Sequence, residues 1–280
     1  MSSAQRALAA AGLVVAGALA AQAALAWAAA RARPLCPAGE RESPVWILRA
    51  ARVAHEAVLT LAGVLLLPLA LRRPRTRPLA PGEPRPVLLV HAHGVGALCR
   101  LGLGRRLRRG GRQVVAVGYG VPVRLEHAAA RLERACARLR RETGAATVDV
   151  VAHGAGGLIA RAWLRRRGRS VGVQRLVTLA SPHQGTACAR AGLRPGSRLV
   201  ARLAQDDTVP ALLDVIAIYS PDDTVVVPAA NGYYPGAFNI EIDGIGHAAM
   251  LVSRRVAELV CENLDAPAAA TAAAGTGSHA

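Results

Sequence analysis

Short runs rich in Val, Leu and Ile alternate with longer amphipathic stretches over most of this chain, and this alternation limits the folds open to it. Continuous apolar runs are typical of strands covered on both faces. Strands that alternate with helices predict a parallel sheet with helices on both sides. We therefore expect an α/β domain over residues 87–265. The predicted strands are Val87–Val90, Val114–Val117, Val148–Val151, Gln174–Leu179, Val215–Tyr219 and Phe238–Ile242, and the predicted helices lie near Leu98–Arg109, Leu125–Arg141, Gly157–Arg167, Thr186–Leu203 and Ala248–Leu264.

Residues 1–71 have the character of a membrane anchor region. The stretch 7–30 carries no charged side chain, and a helix of that length would measure about 36 Å, enough to cross a hydrocarbon core of about 30 Å. Its small residues leave a cleaved signal peptide as the alternative. A second apolar stretch, 53–71, is either a second span with His55 and Glu56 at the interface, an interfacial helix, or a helix packed on the domain.

Arginine and proline dominate residues 72–86, and this composition predicts a linker. If 53–71 spans the membrane, the arginines that follow it place the α/β domain in the cytoplasm, at the inner or plasma membrane. Export through a signal peptide is the alternative. The Ala-, Thr- and Gly-rich segment 266–280 predicts a disordered tail.

The net charge of +17 does not by itself indicate nucleic-acid binding, because all 35 basic residues are arginine and alanine is equally over-represented. We expect no nucleic-acid partner. The 5 cysteines are widely spaced and include no Cys-x-x-Cys pair, which argues against a disulfide framework or a zinc site. No phosphate loop or dinucleotide fingerprint occurs, so we expect no cofactor.

One turn in the predicted sheet has a distinctive sequence. Residues 152–157 read Ala-His-Gly-Ala-Gly-Gly and follow the third strand. This segment resembles the (Gly/Ala)-His-Ser-x-Gly-Gly nucleophile elbow of bacterial lipases and esterases with the α/β-hydrolase fold, especially the small triacylglycerol lipases. Four other segments resemble that family in the same order along the chain: the strand before the oxyanion loop at Val87–His91, the Thr-Pro-His-x-Gly-Thr segment at Leu179–Thr186, the acid loop at Ile218–Val226 and the histidine loop at Gly244–His247.

The resemblance assigns a role to each matching residue. It implies that Asp223 is the triad acid, with Asp222 as the alternative, and that His247 is the general base. The nucleophile position falls on Gly154, which has no side chain to attack with. The oxyanion donors would be the backbone N–H groups of Ala155 and His93, which do not depend on side-chain identity.

Three serines are candidates for a substitute nucleophile. Ser170 lies in a literal Gly-x-Ser-x-Gly, but between a predicted helix and the start of the next strand, at the edge of the sheet opposite Asp223 and His247. Ser181 and Ser220 follow predicted strands and lie on the correct edge.

These observations predict a membrane-anchored protein of the lipase and esterase lineage with lost or impaired hydrolysis. It would act by binding an acyl or lipid ligand, or a protein partner. Two alternatives stay open. The protein is an active carboxylic-ester hydrolase that uses water or another serine, or the fold is a non-catalytic interaction scaffold.

Overall fold

The fold is described here from a computed structural model of the chain. The structure describes residues 45–66, 75–92, 95–119, 125–167, 172–188, 191–205, 207–209 and 213–267. The predicted span at 7–30 and the tail from residue 268 onward lie outside these ranges.

A parallel sheet of six strands forms the centre of the domain, in the order β2-β1-β3-β4-β5-β6. Every neighbouring pair is parallel. This confirms the predicted parallel α/β sheet. The strands are β1 (Val87–Ala92), β2 (Val114–Tyr119), β3 (Val148–His153), β4 (Val173–Leu179), β5 (Asp214–Tyr219) and β6 (Phe238–Glu241).

The helices cover both faces of the sheet because successive strand residues point to opposite sides. Leu89 faces one core, together with the helical segment 96–109 and the last helix. Leu88 faces the other core, together with the two helices that flank β3 in sequence. The longer helices are α1 (Val45–Leu65), α2 (Gly104–Arg109), α3 (Leu125–Thr143), α4 (Ala155–Arg167), α5 (Arg198–Ala204) and α6 (Arg254–Asp265), and short helical turns occur at Gly96–Leu98, Cys99–Leu103, Ala191–Leu193, Ala229–Gly232 and Ala249–Leu251.

Two predicted helices are shorter than expected. The helix predicted over Thr186–Leu203 is wrong in its first part, because Pro195 and Gly196 interrupt the chain and Ser197 caps a new helix by accepting the Val200 N–H. The helix predicted from Ala248 instead begins at Arg254, since Ser253 caps it in the same way.

Helix α1 includes residues 53–65 of the second apolar stretch. It packs against the domain: Leu59 contacts the core that contains Leu89, and Glu56 is buried. In the described part of the chain, no helix is both long enough and apolar enough to cross a membrane. Residues 75–86 have no regular secondary structure and hydrogen bond to the domain, with the Leu79 N–H donating to the Thr143 carbonyl.

Candidate active site

The carboxyl ends of the strands meet at one edge of the sheet, where the predicted site residues lie. β3 ends at His153, and a turn at Gly154 leads directly into α4, which begins at Ala155. Asp223 lies in the loop after β5 and His247 in the loop after β6. A parallel sheet brings such loops together at the edge where α/β proteins bind their ligands.

Gly154 has a left-handed backbone conformation, with φ of 59°. Its N–H donates to the Leu179 carbonyl, and its carbonyl accepts from the Gly157 N–H, so both sides of the turn are fixed. Residues with a Cβ pay a steric cost in this conformation, whereas glycine does not. A Cβ added here would lie 3.2 Å from Nε2 of His247 and 3.9 Å from the Tyr119 hydroxyl. Position 154 therefore faces the imidazole.

His247 and Asp223 form a hydrogen-bonded pair. Nδ1 of His247 lies 2.9 Å from Oδ2 and 3.2 Å from Oδ1 of Asp223. Because a carboxylate only accepts, Nδ1 carries the proton, and Nε2 of the neutral ring is the acceptor that faces position 154. The Asp223 carboxylate is oriented by the N–H groups of Val225 and Val226, which donate to Oδ1 at 2.7 and 2.9 Å.

The surroundings of His247 make it a stronger base than a free histidine. Burial lowers its pKa, but the charge and hydrogen bond of Asp223 and the charge of Glu56 raise it, and the net pKa lies above the ordinary value. Such a base can accept a proton from a hydroxyl or a water at position 154. Asp222 has a different contact, since its Oδ2 accepts the Gly244 N–H at 2.6 Å. The geometry therefore pairs His247 with Asp223.

Comparison with solved structures agrees with this topology. The mature form of the lipase BlEst2 from Bacillus licheniformis superposes with a TM-score of 0.57 at 14% identity, over 68% of this chain and 95% of that one. The chain has the α/β-hydrolase fold. The propeptide form of the same lipase also gives a TM-score of 0.57 at 14% identity, over 69% of this chain and 53% of that one.

Two further comparisons give a partial sequence match and a structural match of lower similarity. A model of the palmitoyl protein thioesterase family matches residues 123–212, which include the turn at Gly154. Est1E from Butyrivibrio proteoclasticus is 16% identical over 68% of this chain and 92% of that chain, with a TM-score of 0.46. No curated protein sequence matches the chain.

The structure describes only one of the two predicted oxyanion donors. Ala155 is the first residue of α4, at a helix N-terminus, where backbone N–H groups and the helix dipole favour negative charge. His93 lies outside the described residues, so its role stays a prediction. Over the described ranges, no group of three or more His, Cys, Asp or Glu side chains could hold a metal ion.

Two of the candidate substitute serines are buried with local contacts of their own, and the third lies outside the described residues. Ser181 is buried, packs against Gly157, and its hydroxyl contacts the Leu179 carbonyl at 3.4 Å. Ser220 is also buried, and its Oγ accepts the Asp222 N–H at 3.1 Å. Ser170 lies outside the described residues.

Two residues beside the pair were not predicted from the sequence. Tyr119 ends β2 and is buried; burial raises the pKa of its phenol, while the backbone of Gly156 hydrogen bonds to it. It is therefore neutral at ordinary pH. Glu56 of α1 is 4% exposed and contacts the backbone beside His247. The available signal for Glu56 was a single carboxylate within an apolar stretch.

His153 holds the backbone of the histidine loop. Its Nε2 lies 2.9 Å from the His247 carbonyl, and the two rings have centroids 4.5 Å apart. A carbonyl only accepts, so Nε2 of His153 carries a proton and donates. Burial, followed by the charge of His247, lowers the pKa of His153 to about 3. His153 is thus a neutral hydrogen-bond donor and not a second base.

This low pKa predicts acid sensitivity. Between pH 6.5 and pH 3 the unfolded chain protonates His153 and the folded chain does not, so folding stability is complete above pH 6.5 and falls with the pH below it. At pH 4 the expected cost is about 3 kcal/mol. His153→Gln should lose less stability between pH 7 and pH 4 than the unmodified protein does, measured by urea unfolding. Equal pH dependence of the two proteins would contradict a buried neutral His153.

Proposed function

We propose that the protein is a membrane-anchored relative of lipases and esterases whose hydrolytic activity is lost or strongly reduced, and that it binds an acyl or lipid ligand. One observation carries the proposal. Gly154, without a side chain, takes the position that faces Nε2 of His247 at the turn between β3 and α4. His247 and Asp223, the proposed base and its acid partner, are hydrogen bonded to each other, and position 154 offers no side chain to attack an ester.

The energetic consequence of this gap is large. In serine hydrolases, removal of the nucleophile costs about 10⁶ in rate and leaves about 10³- to 10⁴-fold catalysis over water. Backbone donors such as the Ala155 N–H do not depend on the nucleophile. A site of this kind can therefore still bind an acyl carbonyl while it turns over very little of it.

The comparisons favour a fatty acyl ligand, as an ester or a thioester. The fold is similar to that of the lipase BlEst2, and the family model that matches residues 123–212 is that of palmitoyl protein thioesterases. Lipases and palmitoyl protein thioesterases are both named for acyl substrates. We extend this chemistry to the present chain as its ligand class.

Binding without turnover is the testable form of the proposal. We expect a non-hydrolysable palmitoyl analogue to stabilise the full chain by about 2.7 kcal/mol when present at 100 times its Kd. Thermal unfolding with and without the analogue measures this. Hydrolysis of palmitoyl esters and thioesters should stay near background in the same samples. If no acyl ligand changes the unfolding temperature, the scaffold alternative is favoured.

Hydrolysis by activated water is the second candidate. The observation that favours it is the intact Asp223–His247 pair, in which Nε2 faces a position without a side chain. A water held there could lose its proton to the imidazole as it attacks. Ester turnover by the unmodified protein that His247→Ala abolishes would establish this candidate.

Membrane anchoring is the remaining part of the proposal. Its support is the uncharged stretch 7–30. The arginines of 72–77 would be drawn to an anionic inner leaflet, which favours a cytoplasmic domain. A fluorescent protein or alkaline phosphatase fused after residue 280 would report the side. Alkaline phosphatase activity in intact cells would refute the cytoplasmic orientation.

A further inference from the structure

Glu56 joins the N-terminal helix to the loop that carries the candidate base. Its Oε2 accepts the Ala248 N–H at 2.5 Å, and its Oε1 accepts the Ala249 N–H at 3.1 Å. These two residues follow His247 directly. A buried carboxylate is costly unless its oxygens are hydrogen bonded, and both oxygens of Glu56 are. Glu56 is therefore a fixed attachment point of the loop and not a solvated side chain.

The loop sequence is adapted to this carboxylate. A Cβ at Gly246 would lie 2.3 Å from Oε1 and 2.7 Å from Cδ of Glu56, so the residue before His247 must be glycine for Glu56 to reach the backbone. Larger side chains at position 246 would displace either the carboxylate or the loop. The close approach of Glu56 and the glycine of Gly-Ile-Gly-His thus form one arrangement.

A cleft of about 220 Å³ lies beside the contact between α1 and the histidine loop. His55 and Glu56 line it together with Gly246 and Ser253. Farther along α1, Leu59 packs against the core. The lining residues of this cleft include neither Gly154 nor His247. The hydrogen bonds of the Glu56 carboxylate thus attach α1 to the loop directly after His247.

We propose that Glu56 is a positioning residue for His247: through the backbones of Ala248 and Ala249 it fixes the histidine loop, and it thereby makes the geometry of the Asp223–His247 pair depend on the docking of α1. The inference rests on the proposed role of His247 as the base. It adds that α1, which precedes the sheet in sequence and was predicted to be part of the anchor region, completes the site.

Besides fixing the loop through hydrogen bonds, Glu56 raises the pKa of His247 through its charge. The titratable groups around His247 are Asp223 on the acid loop, His153 at the end of β3, Tyr119 at the end of β2, and Glu56 on α1. His153 and Tyr119 are neutral, so the two carboxylates stabilise the imidazolium. This is the form that His247 takes when it accepts a proton during ester cleavage.

The first experiment follows the imidazole of His247 by NMR titration of the full chain labelled at histidine, with His247→Ala to assign the signal. We expect Glu56→Gln, which keeps the shape and removes the charge, to lower the pKa of His247 measurably. Glu258→Gln, which removes an exposed carboxylate from the last helix, is the matched control and should leave that pKa unchanged.

The second experiment measures turnover in the Gly154→Ser background. Glu56→Ala should lower kcat about 10-fold or more with little change in KM, because the base is misplaced and the ligand site is not. Glu56→Gln should recover part of kcat, because its carbonyl oxygen can still accept one N–H. It should also shift the acid limb of the pH–rate profile to lower pH.

The two experiments separate the possible failures. If Gly154→Ser shows no turnover, the assignment of position 154 as the vacant nucleophile position fails, while the NMR titration still tests Glu56. A Glu56→Gln protein that unfolds at lower temperature but keeps both the pKa of His247 and kcat would reduce Glu56 to a structural contact and overturn the inference. Glu56→Gln decides the matter if Glu56→Ala does not fold, since it preserves side-chain volume.

Discussion

Gly154→Ser is expected to raise the rate of ester hydrolysis by about 10²- to 10⁴-fold over the unmodified protein. Loss of a serine nucleophile costs about 10⁶, and a site without further adjustment should recover only part of that factor. A serine Cβ at this position would lie 3.2 Å from Nε2 of His247, which brings its hydroxyl within reach of the base. Initial rates on p-nitrophenyl butyrate and octanoate with the full chain measure the gain.

Two features of the site explain why recovery would be incomplete. A Cβ at 3.2 Å is closer to the imidazole than is usual, so the ring must move by a few tenths of an ångström. The φ of 59° also costs a non-glycine residue about 1–2 kcal/mol. We therefore expect Gly154→Ser to be less stable than the unmodified protein by a similar amount, an effect that thermal unfolding would detect.

The matched control is Gly154→Ala. It adds the same Cβ and the same backbone cost but no hydroxyl, so its hydrolysis should stay at the level of the unmodified protein. In the serine background, His247→Ala should remove the gain, and Asp223→Asn should remove most of it because the ring loses its orienting partner. Equal activity of Gly154→Ala and Gly154→Ser would contradict the assignment of position 154 as the nucleophile position.

The acid limb of the Gly154→Ser profile provides a further check on the geometry. The pKa of His247 lies above the ordinary histidine value, and a protonated imidazole cannot accept the serine proton. Activity should therefore fall as the pH drops through a value higher than that of a free histidine. A midpoint well below the ordinary value would indicate that burial outweighs the two carboxylates.

The sequence was informative where local chemistry and order along the chain determine structure. The Ala-His-Gly-Ala-Gly-Gly segment predicted a tight turn from strand to helix, and Gly154 lies in such a turn. The resemblance to lipase and esterase segments implied that Asp223 and His247 act together, and in the structure Nδ1 of His247 lies 2.9 Å from Oδ2 of Asp223. The resemblance implied Asp223 as the acid and Asp222 as the alternative; in the structure Asp223 contacts the imidazole, while Asp222 accepts the Gly244 N–H.

The contact of Glu56 with the histidine loop could not be predicted from the sequence. Its partners Ala248 and Ala249 lie 192 and 193 residues farther along the chain. They contact it through backbone N–H groups, which do not depend on residue type, so the sequence does not reveal the contact. An apolar stretch with one carboxylate is equally compatible with an interfacial helix and with a helix packed on a domain. The helix predicted from Thr186 was wrong for a different reason. Its apolar spacing favoured one continuous helix, but Pro195 and Gly196 interrupt the chain before the helix at Arg198.

Asp149→Ala is expected to lower the free energy of unfolding by about 3–5 kcal/mol, through a charge network at the edge of the sheet opposite the candidate site. Asp149 is fully buried on β3 and accepts from Arg85 at 3.0 Å and from Arg112 at 3.3 Å. Arg175, its register partner on β4, is also buried. Removing the carboxylate would leave buried guanidinium groups without their shared partner, and urea unfolding at pH 7 measures the loss.

The pKa of Asp149 shows that this network is not a simple gain in stability. Burial raises it, and the charges of Arg85, Arg112 and Arg175 lower it only in part, so the ion pairs do not fully offset the desolvation of the carboxylate. Breaking a buried pair is nevertheless costly, because the remaining charges stay buried. Glu258→Ala, which removes an exposed partner of Arg254, is the control and should change stability by less than about 1 kcal/mol. If Asp149→Ala were as mild as this control, Arg112 and Arg175 would have to be stabilised by Asp265, Asp214 and the backbone of the last helix alone. The buried carboxylate would then be dispensable to the sheet edge.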